Sequence, residues 1–232
     1  MMKLLAVAAE PMEFRGILAH AAEIRAVDVG ADWARSARMA NCDWLLVANG
    51  AGPHRAGAAV DAAVSHFHPD IAVSTGFCGA LDPEIGLGEI LVAIEVAGGA
   101  DRFPAREVST GKPHRQGLIR TIDHIAQTAA EKRELRAGGA LAVEMEAVAV
   151  AQRSAALGLP FCCVKVTTDL ADENLTIDLN GALRSDGHFD TIRILGSTLC
   201  RPLVRLPELF RLRGRSVRAA RVLGDFFADC RF

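Results

Sequence analysis

The chain has 232 residues, of which 50% are hydrophobic and 23% charged, with a formal net charge of -2 and a pI near 6.4. This near-neutral balance excludes the strongly basic footprint of a nucleic-acid-binding domain, so we expect no nucleic-acid partner. The apolar run after Lys3 is interrupted by Glu10, Glu13 and Arg15, and no run of about 18 apolar residues predicts a membrane span. We therefore expect a cytoplasmic protein.

Short apolar runs alternate with helical stretches along most of the chain. The runs predict strands at 3–9, 44–48, 70–74, 89–94, 117–122, 140–143 and 161–166, and Ala-rich segments predict helices at 55–66 and 145–157. This alternation favours an α/β fold with a central mixed or largely parallel sheet flanked by helices. A chain of this size fits one catalytic domain, which we place at residues 1–200.

The C-terminal segment 201–232 differs in character from the rest. It carries eight arginines with leucines and phenylalanines between them, which predicts one or two amphipathic basic helices. Such helices either pack on the same domain with their basic face in solvent, or present a face to a membrane surface or an amphiphilic substrate.

The cysteines and histidines show no metal-binding pattern. The six cysteines form no CxxC pair, and the seven histidines have no HExxH spacing. We expect small buried thiols in a reducing compartment and no metal site, with a reactive thiol as the alternative.

Carboxylates stand at the ends of three apolar runs. Glu13 follows the first strand, Glu144 and Glu146 separate a strand from an Ala-rich helix, and Asp169 follows the last strand. Ligands of α/β sheets bind at the carboxyl ends of strands, so these loops are expected to surround one site. Each carboxylate also has a simpler interpretation, as a helix N-terminal charge or a turn cap.

Glycines follow two of the predicted strands. The segments Gly50-Ala51-Gly52 and Gly76-Phe77-Cys78-Gly79 are interpreted as turns, and neither matches a phosphate-loop signature. We expect the backbone to approach a ligand closely there.

Together these segments resemble the nucleoside phosphorylase/nucleosidase superfamily, and within it the methylthioadenosine/adenosylhomocysteine nucleosidases. The resemblance covers about residues 3–175 and is carried by 142–147 (AVEMEA), 166–172 (VTTDLAD), 75–80 (TGFCGA) and 86–92 (GLGEILV). The tail, with Leu206-Pro207-Glu208-Leu209, is more similar to the hopanoid-associated phosphorylase branch, which acts on an adenosyl-lipid.

The resemblance implies a nucleoside phosphorylase-like fold, a homodimer, no cofactor, and cleavage of the N-glycosidic bond of a 5′-modified adenine nucleoside such as methylthioadenosine or adenosylhomocysteine. Asp169 would donate a proton toward N7 of the base, Glu13 would activate water, and Glu146 would hold the ribose hydroxyls with Met145 against the sugar. The other candidate substrate-binding residues are Glu144, Thr168, Gly76, Phe77, Cys78 and Ile125.

This division of roles agrees with the chemistry of the reaction. Departure of the base leaves an oxocarbenium-like sugar, which nearby carboxylates stabilise. We expect a raised pKa for the acid and an ordinary one for the water-activating group.

Three departures from the family pattern leave alternatives open. Phe77 replaces a small Ser-like residue, the segment between 94 and 117 is short, and an aromatic residue that stacks on the purine is replaced near Ile125. The absence of a Gly-Asp-Pro-x-Arg segment near the N-terminus favours water over phosphate as the acceptor. The alternatives are a phosphorylase that uses phosphate as co-substrate on a purine nucleoside or adenosyl-lipid, and a nucleoside-binding protein without catalysis.

Overall fold

The computed structural model describes residues 1–232, except for the side chain of Cys200. The strands are β1 (Met2–Ala8), β2 (Ala22–Ala26), β3 (Trp33–Met39), β4 (Cys42–Ala48), β5 (Ile71–Ala80), β6 (Ile90–Gly98), β7 (Asp101–Pro104), β8 (Arg115–Thr121), β9 (Ala140–Glu144) and β10 (Phe161–Asp169). The helices are α1 (Arg15–His20), α2 (Pro53–Phe67), α3 (Ala129–Arg136), α4 (Ala147–Ala156), α5 (Leu179–Ala182), α6 (Thr191–Cys200) and α7 (Pro202–Phe227), and a 3-10 turn spans Pro11–Phe14.

The strands form one mixed sheet in the order β10-β6-β8-β9-β5-β1-β4-β3-β2, and β7 pairs with β6 outside this order. β10 also pairs with β5, so the strands from β10 to β5 close into a ring. β1 is parallel to both β4 and β5, and β10 is parallel to β5. The carboxyl ends of β1, β4, β5 and β10 therefore meet at one edge, which confirms the predicted α/β architecture with a mixed sheet.

Two hydrophobic layers cover the two faces of the sheet. In β1, Leu5 and Val7 face the layer that contains α2 and α4, while Leu4 and Ala6 face the layer that contains α1 and α7. Successive side chains of a strand point to opposite faces, so a strand buried on both faces is apolar at every position. This explains the unbroken apolar run of β1.

The C-terminal helix packs onto the second layer through its last turns. Ala219, Leu223 and Phe226 are buried there. Gly16 of α1 lies so close to α7 that a Cβ on it would overlap the carbonyl oxygen of Ala220. The first half of α7 is more exposed, with Leu203 and Phe210 accessible over 91% and 64% of their surface.

The structure corrects several predicted boundaries. β5 does not end at Ser74 but continues to Ala80, and β10 continues past Val166 to Asp169, so the segment Gly76–Gly79 is strand rather than turn. The strands β2, β3 and β7 and the helix α6 were not predicted from the sequence. The basic tail forms one long helix, α7, and no described helix is long and apolar enough to cross a bilayer.

Candidate active site

The second half of β5 is the platform on which the predicted site residues meet. Glu13 contacts it at Gly76 and Phe77, Lys165 donates to the carbonyl of Thr75, and Asp169 lies beside Gly79. Since the three contacts fall within five consecutive residues of one strand, side chains from distant parts of the sequence are brought to one place.

Glu13 is fixed by two backbone hydrogen bonds. Its Oε2 accepts from the N–H of Glu10 at 2.7 Å, and its Oε1 accepts from the N–H of Phe77 at 2.7 Å. Gly76 has a φ of +117°, and a Cβ at this position would collide with Glu13 Oε1, so only glycine leaves room for the carboxylate.

Burial raises the pKa of Glu13, against the opposing effect of the Glu10 and Phe77 N–H groups and of the Lys165 ammonium. The expectation of an ordinary pKa for this residue is therefore wrong. The physical reason is that the side chain is only 5% exposed, whereas the sequence places it in a loop.

Glu146 begins α4 and is held between two other segments. Its Oε1 accepts from the N–H of Gly52 at 3.0 Å, and its Oε2 lies 3.6 Å from the Lys165 ammonium. Burial, together with the neighbouring Glu144 and Glu13 carboxylates, raises the pKa of Glu146 to about 7 despite Lys165. The carboxyl group therefore changes charge near neutral pH.

Glu144 is engaged by donors of the protein itself. It accepts from Thr121 Oγ1 at 2.5 Å, from the N–H of Ala147 at 2.9 Å and from Lys165 Nζ at 2.8 Å. Its side chain is 1% exposed. This geometry favours a role in holding Lys165 and the start of α4 over direct contact with a ligand.

Lys165 is completely buried and unites this cluster. Burial alone would lower the pKa of its ammonium group, but the Glu144 and Glu146 carboxylates outweigh that effect and raise it. A buried cation that is paired in this way stays charged and supplies a fixed positive potential beside Glu13 and Glu146.

Asp169, at the end of β10, pairs with the buried Lys132 ammonium. Its Oδ1 also accepts from Thr168 Oγ1 at 3.2 Å, and a Cβ at Gly79 would stand 2.8 Å from its Oδ2. Burial raises the pKa of Asp169, while Lys132 and Thr168 oppose the rise. A carboxyl group with a raised pKa is suited to donate a proton near neutral pH.

The remaining predicted residues lie in the elements and loops next to these groups. Met145 is 8% exposed between Glu144 and Glu146, and Cys78 is buried in β5, where burial holds the pKa of its thiol well above the usual range. Ile125 lies in the loop between β8 and α3, where its backbone exchanges two hydrogen bonds with Asn180.

Phe77 does not stand alone in the site. Its backbone N–H binds Glu13, and its ring packs against the apolar layer that contains Phe14 and Val166. Part of the ring is therefore taken up by the hydrophobic core.

A segment before α6 lies against the loop after β4. The carbonyl of Gly187 accepts from the N–H of Ala51 at 2.7 Å, and the His188 ring bonds to Asp32 at 2.8 Å and lies 3.5 Å from Glu10. The hydrogen bond to Asp32 raises the pKa of His188. This contact places residues 187 and 188 next to the segments that hold Glu13 and Glu146.

Lys132, Lys165 and Thr121 are site residues that the sequence reasoning missed. A lysine inside the apolar run of β10 was a readable signal for Lys165, since unpaired buried charge is costly. Lys132 gave no such signal, because it stands in a helix rich in charged residues.

Two surface clefts lie near the amino ends of β5 and β10, away from these carboxylates. One is lined by Val64, His68 and Leu157, and the other by Phe103 and Phe161. Neither contains the clustered carboxylates, whose perturbed pKa values mark the better functional candidate.

Known proteins match this chain over the segments that contain these residues. The family model of the phosphorylase superfamily matches residues 3–116 and 105–186. The chain is 27% identical over 175 residues to a 5′-methylthioadenosine/S-adenosylhomocysteine nucleosidase of Staphylococcus saprophyticus, covering 63% of this chain and 77% of the relative. A nucleosidase of the same name from Staphylococcus aureus is 26% identical over 168 residues, covering 60% and 74% of the two chains.

Solved structures share the fold over nearly the whole chain. A Neisseria meningitidis 5′-methylthioadenosine/S-adenosylhomocysteine nucleosidase in complex with methylthio-immucillin-A aligns with a TM-score of 0.69 at 20% identity, covering 97% of this chain and all of the other. The S. pneumoniae nucleosidase gives 0.73 at 21% identity over 98% and 99% of the two chains. The futalosine hydrolase of Helicobacter pylori gives 0.73 at 15% identity over 98% and 96%.

Proposed function

The chain belongs to the phosphorylase superfamily, and from this premise we propose that it is an enzyme that cleaves the N-glycosidic bond of an adenine nucleoside by hydrolysis. The preferred substrate has a modified 5′ position, as in methylthioadenosine or adenosylhomocysteine. The curated relatives carry this activity in their names.

One observation carries the proposal: Glu13 and Asp169 lie against the second half of β5, and Glu146 lies 3.6 Å from Lys165, which donates to Thr75 of the same strand. The Lys165 ammonium lowers the pKa of both Glu13 and Glu146, and the Glu13 carboxylate raises the pKa of Glu146. Asp169 stands next to Gly79, three residues along β5 from Gly76. Groups that must act on one sugar–base linkage need this proximity.

The environments of the three carboxyl groups suit three tasks. Asp169, with a raised pKa, donates a proton to N7 of the base and makes the base a better leaving group. Glu146 accepts hydrogen bonds from the ribose hydroxyls and, when ionised, stabilises the positive charge that develops on the sugar. Glu13, whose raised pKa makes it a stronger base, takes a proton from the attacking water.

Water is the preferred acceptor, and no cofactor is needed for this chemistry. The cations nearest to the platform are already paired, Lys165 with Glu144 and Glu146 and Lys132 with Asp169. A phosphate ion would have to compete with these carboxylates, which disfavours phosphorolysis.

The exposed apolar residues of α6 and α7 favour a second candidate, a phosphorylase that acts on an amphiphilic adenosyl compound at a membrane surface. Ile192, Leu203 and Phe210 are 82%, 91% and 64% exposed, and arginines are interleaved with them. Strict dependence of base release on phosphate, and on residues 201–232, would favour this second candidate.

The family resemblance also leads us to propose that the protein is a homodimer. Sedimentation equilibrium tests this proposal.

The experiment is to incubate the purified protein with methylthioadenosine, adenosylhomocysteine and adenosine, each with and without phosphate, and to measure free adenine. We expect adenine release that does not depend on phosphate. Absence of released base from all three substrates under both conditions would contradict the proposal.

A pair of variants assigns the activity to the site. Asp169→Asn removes the acid and should lower turnover by about 10²–10⁴-fold with the fold retained. Asp101→Asn changes an exposed aspartate of β7, outside these segments, and should leave turnover unchanged. Wild-type turnover in the Asp169→Asn protein would exclude Asp169 as the acid.

A further inference from the structure

Helix α3 buries a lysine where a surface helix would bury an apolar residue. Lys132 is the one buried residue within Ala129–Arg136, and it is completely inaccessible. The helix starts at a Thr128 cap, whose side chain accepts from the N–H of Glu131. Burying an unpaired ammonium group costs several kcal/mol, which is comparable to the whole net stability of a small domain. A buried lysine is therefore rarely found without a use.

The ammonium group stands directly behind Asp169. Lys132 Nζ donates to an oxygen of Asp169 and to the carbonyl of Leu170 at 2.7 Å. The Asp169 side chain is 14% exposed and that of Lys132 is 0% exposed. A ligand that approaches from the open side therefore meets Asp169 first, and Lys132 can act only through it.

Burial and Lys132 act in opposite directions on the pKa of Asp169. Burial raises the pKa of Asp169, and the charge and hydrogen bond of Lys132 are the largest effects that lower it. The other charged group facing Asp169 is Glu173, which raises its pKa and is itself paired with Arg211 and Arg215 of α7; the Cys78 thiol faces it from β5.

We propose that Lys132 is a positioning residue of the reaction, which holds Asp169 by one oxygen and stabilises the carboxylate that forms when Asp169 gives up its proton. The proposal rests on the proposed function. In the step, the O–H bond of Asp169 breaks, the proton binds N7 of the base, and the electron pair of the bond between the base and C1′ passes to the base. The negative charge left on Asp169 lies against the Lys132 ammonium, and solvent returns the proton after the base has left.

The test is the titration of Asp169 in the pure protein, followed by carboxyl ¹³C NMR and assigned by the resonance that is missing in Asp169→Asn. Lys132→Met removes the cation, so the titration midpoint should rise by about 1–3 pH units, the usual effect of a neighbouring opposite charge. Lys132→Arg keeps the charge and should stay within about half a unit of the wild type, as should Arg133→Met, a control at an exposed position of the same helix.

Lys132→Gln is the second variant should the methionine protein fail to fold, because it retains a hydrogen-bond donor without the charge. An unchanged midpoint in a folded, neutral variant would overturn the proposal. The basic limb of the kcat profile should move to higher pH together with the midpoint, with a lower maximal rate, because a weaker acid donates its proton less readily. If the titration midpoint of Asp169 shifts as expected but the wild type shows no turnover, the proposed function is refuted. The pairing of Lys132 with Asp169 would still stand.

Discussion

Replacing Glu146 by glutamine should stabilise the protein at alkaline pH, although the residue belongs to the proposed site. Burial raises the pKa of Glu146 from 4.5 to about 7. Between these values the folded chain holds a proton that the unfolded chain has released, so the wild type loses stability as the pH rises. Each pH unit of that interval costs about 1.4 kcal/mol, or about 3 kcal/mol in total. Glutamine does not titrate and lacks this loss.

The measurement is urea unfolding of both proteins from pH 4.5 to pH 8.5, followed by the fluorescence of the two tryptophans. The difference in unfolding free energy should grow with pH in favour of Glu146→Gln and level off above about pH 8. Glu134→Gln, at an exposed position of α3, is the control and should show no such growth. A difference between the Glu146→Gln protein and the wild type that is flat across this range would refute the reasoning, because Glu146 would then titrate alike in the folded and unfolded chains.

Three further predictions concern packing, buried charge and thiol chemistry. Gly16→Ala should destabilise the protein by about 1–3 kcal/mol in thermal unfolding, since its Cβ would overlap Ala220, whereas Gly214→Ala, in open space on α7, should not destabilise it. Lys165→Met leaves two buried carboxylates without their cation and should cost about 3–5 kcal/mol at pH 8 and less at pH 5, where Glu146, with a pKa of about 7, is protonated; equal loss at both values would contradict this. Cys163 should resist a thiol reagent at pH 7.5 until the chain unfolds, since burial raises the pKa of its thiol.

The regular parts of the fold could be predicted because local signals agree there. β4 is an apolar run, the segment after it contains glycines, and Pro53 begins α2, so each signal points to strand, turn and helix in succession. The edge strand β2 could not be found, because all five residues of Ala22–Ala26 are exposed and carry no alternating pattern.

The glycines of β5 misled the sequence reasoning for a physical reason. Gly76 and Gly79 look like turn residues, yet they lie within a strand. Because they have no side chain, they leave room for the carboxylates of Glu13 and Asp169. Glycine within a strand often marks such a close approach. A local pattern cannot separate this use from a turn, because the group that fills the space comes from elsewhere in the chain.

The same limit applies to the charged residues of the site. The positions of Glu13, Glu146 and Asp169 after apolar runs pointed to one edge of the sheet. In the structure Glu13 and Asp169 lie against β5, and Glu146 lies 3.6 Å from Lys165 of β10. Lys132 could not be predicted, since only the tertiary fold distinguishes it from the exposed charged residues next to it in α3.

The most direct test of the central claim is a crystal structure of the protein with methylthio-immucillin-A, the ligand in the Neisseria meningitidis structure. We predict that the base lies against Asp169 and that the hydroxyls of the sugar-like ring contact Glu146, with Glu13 facing the bond that links the two rings. A ligand bound away from β5, for example in the cleft between Val64 and Leu157, would contradict the account.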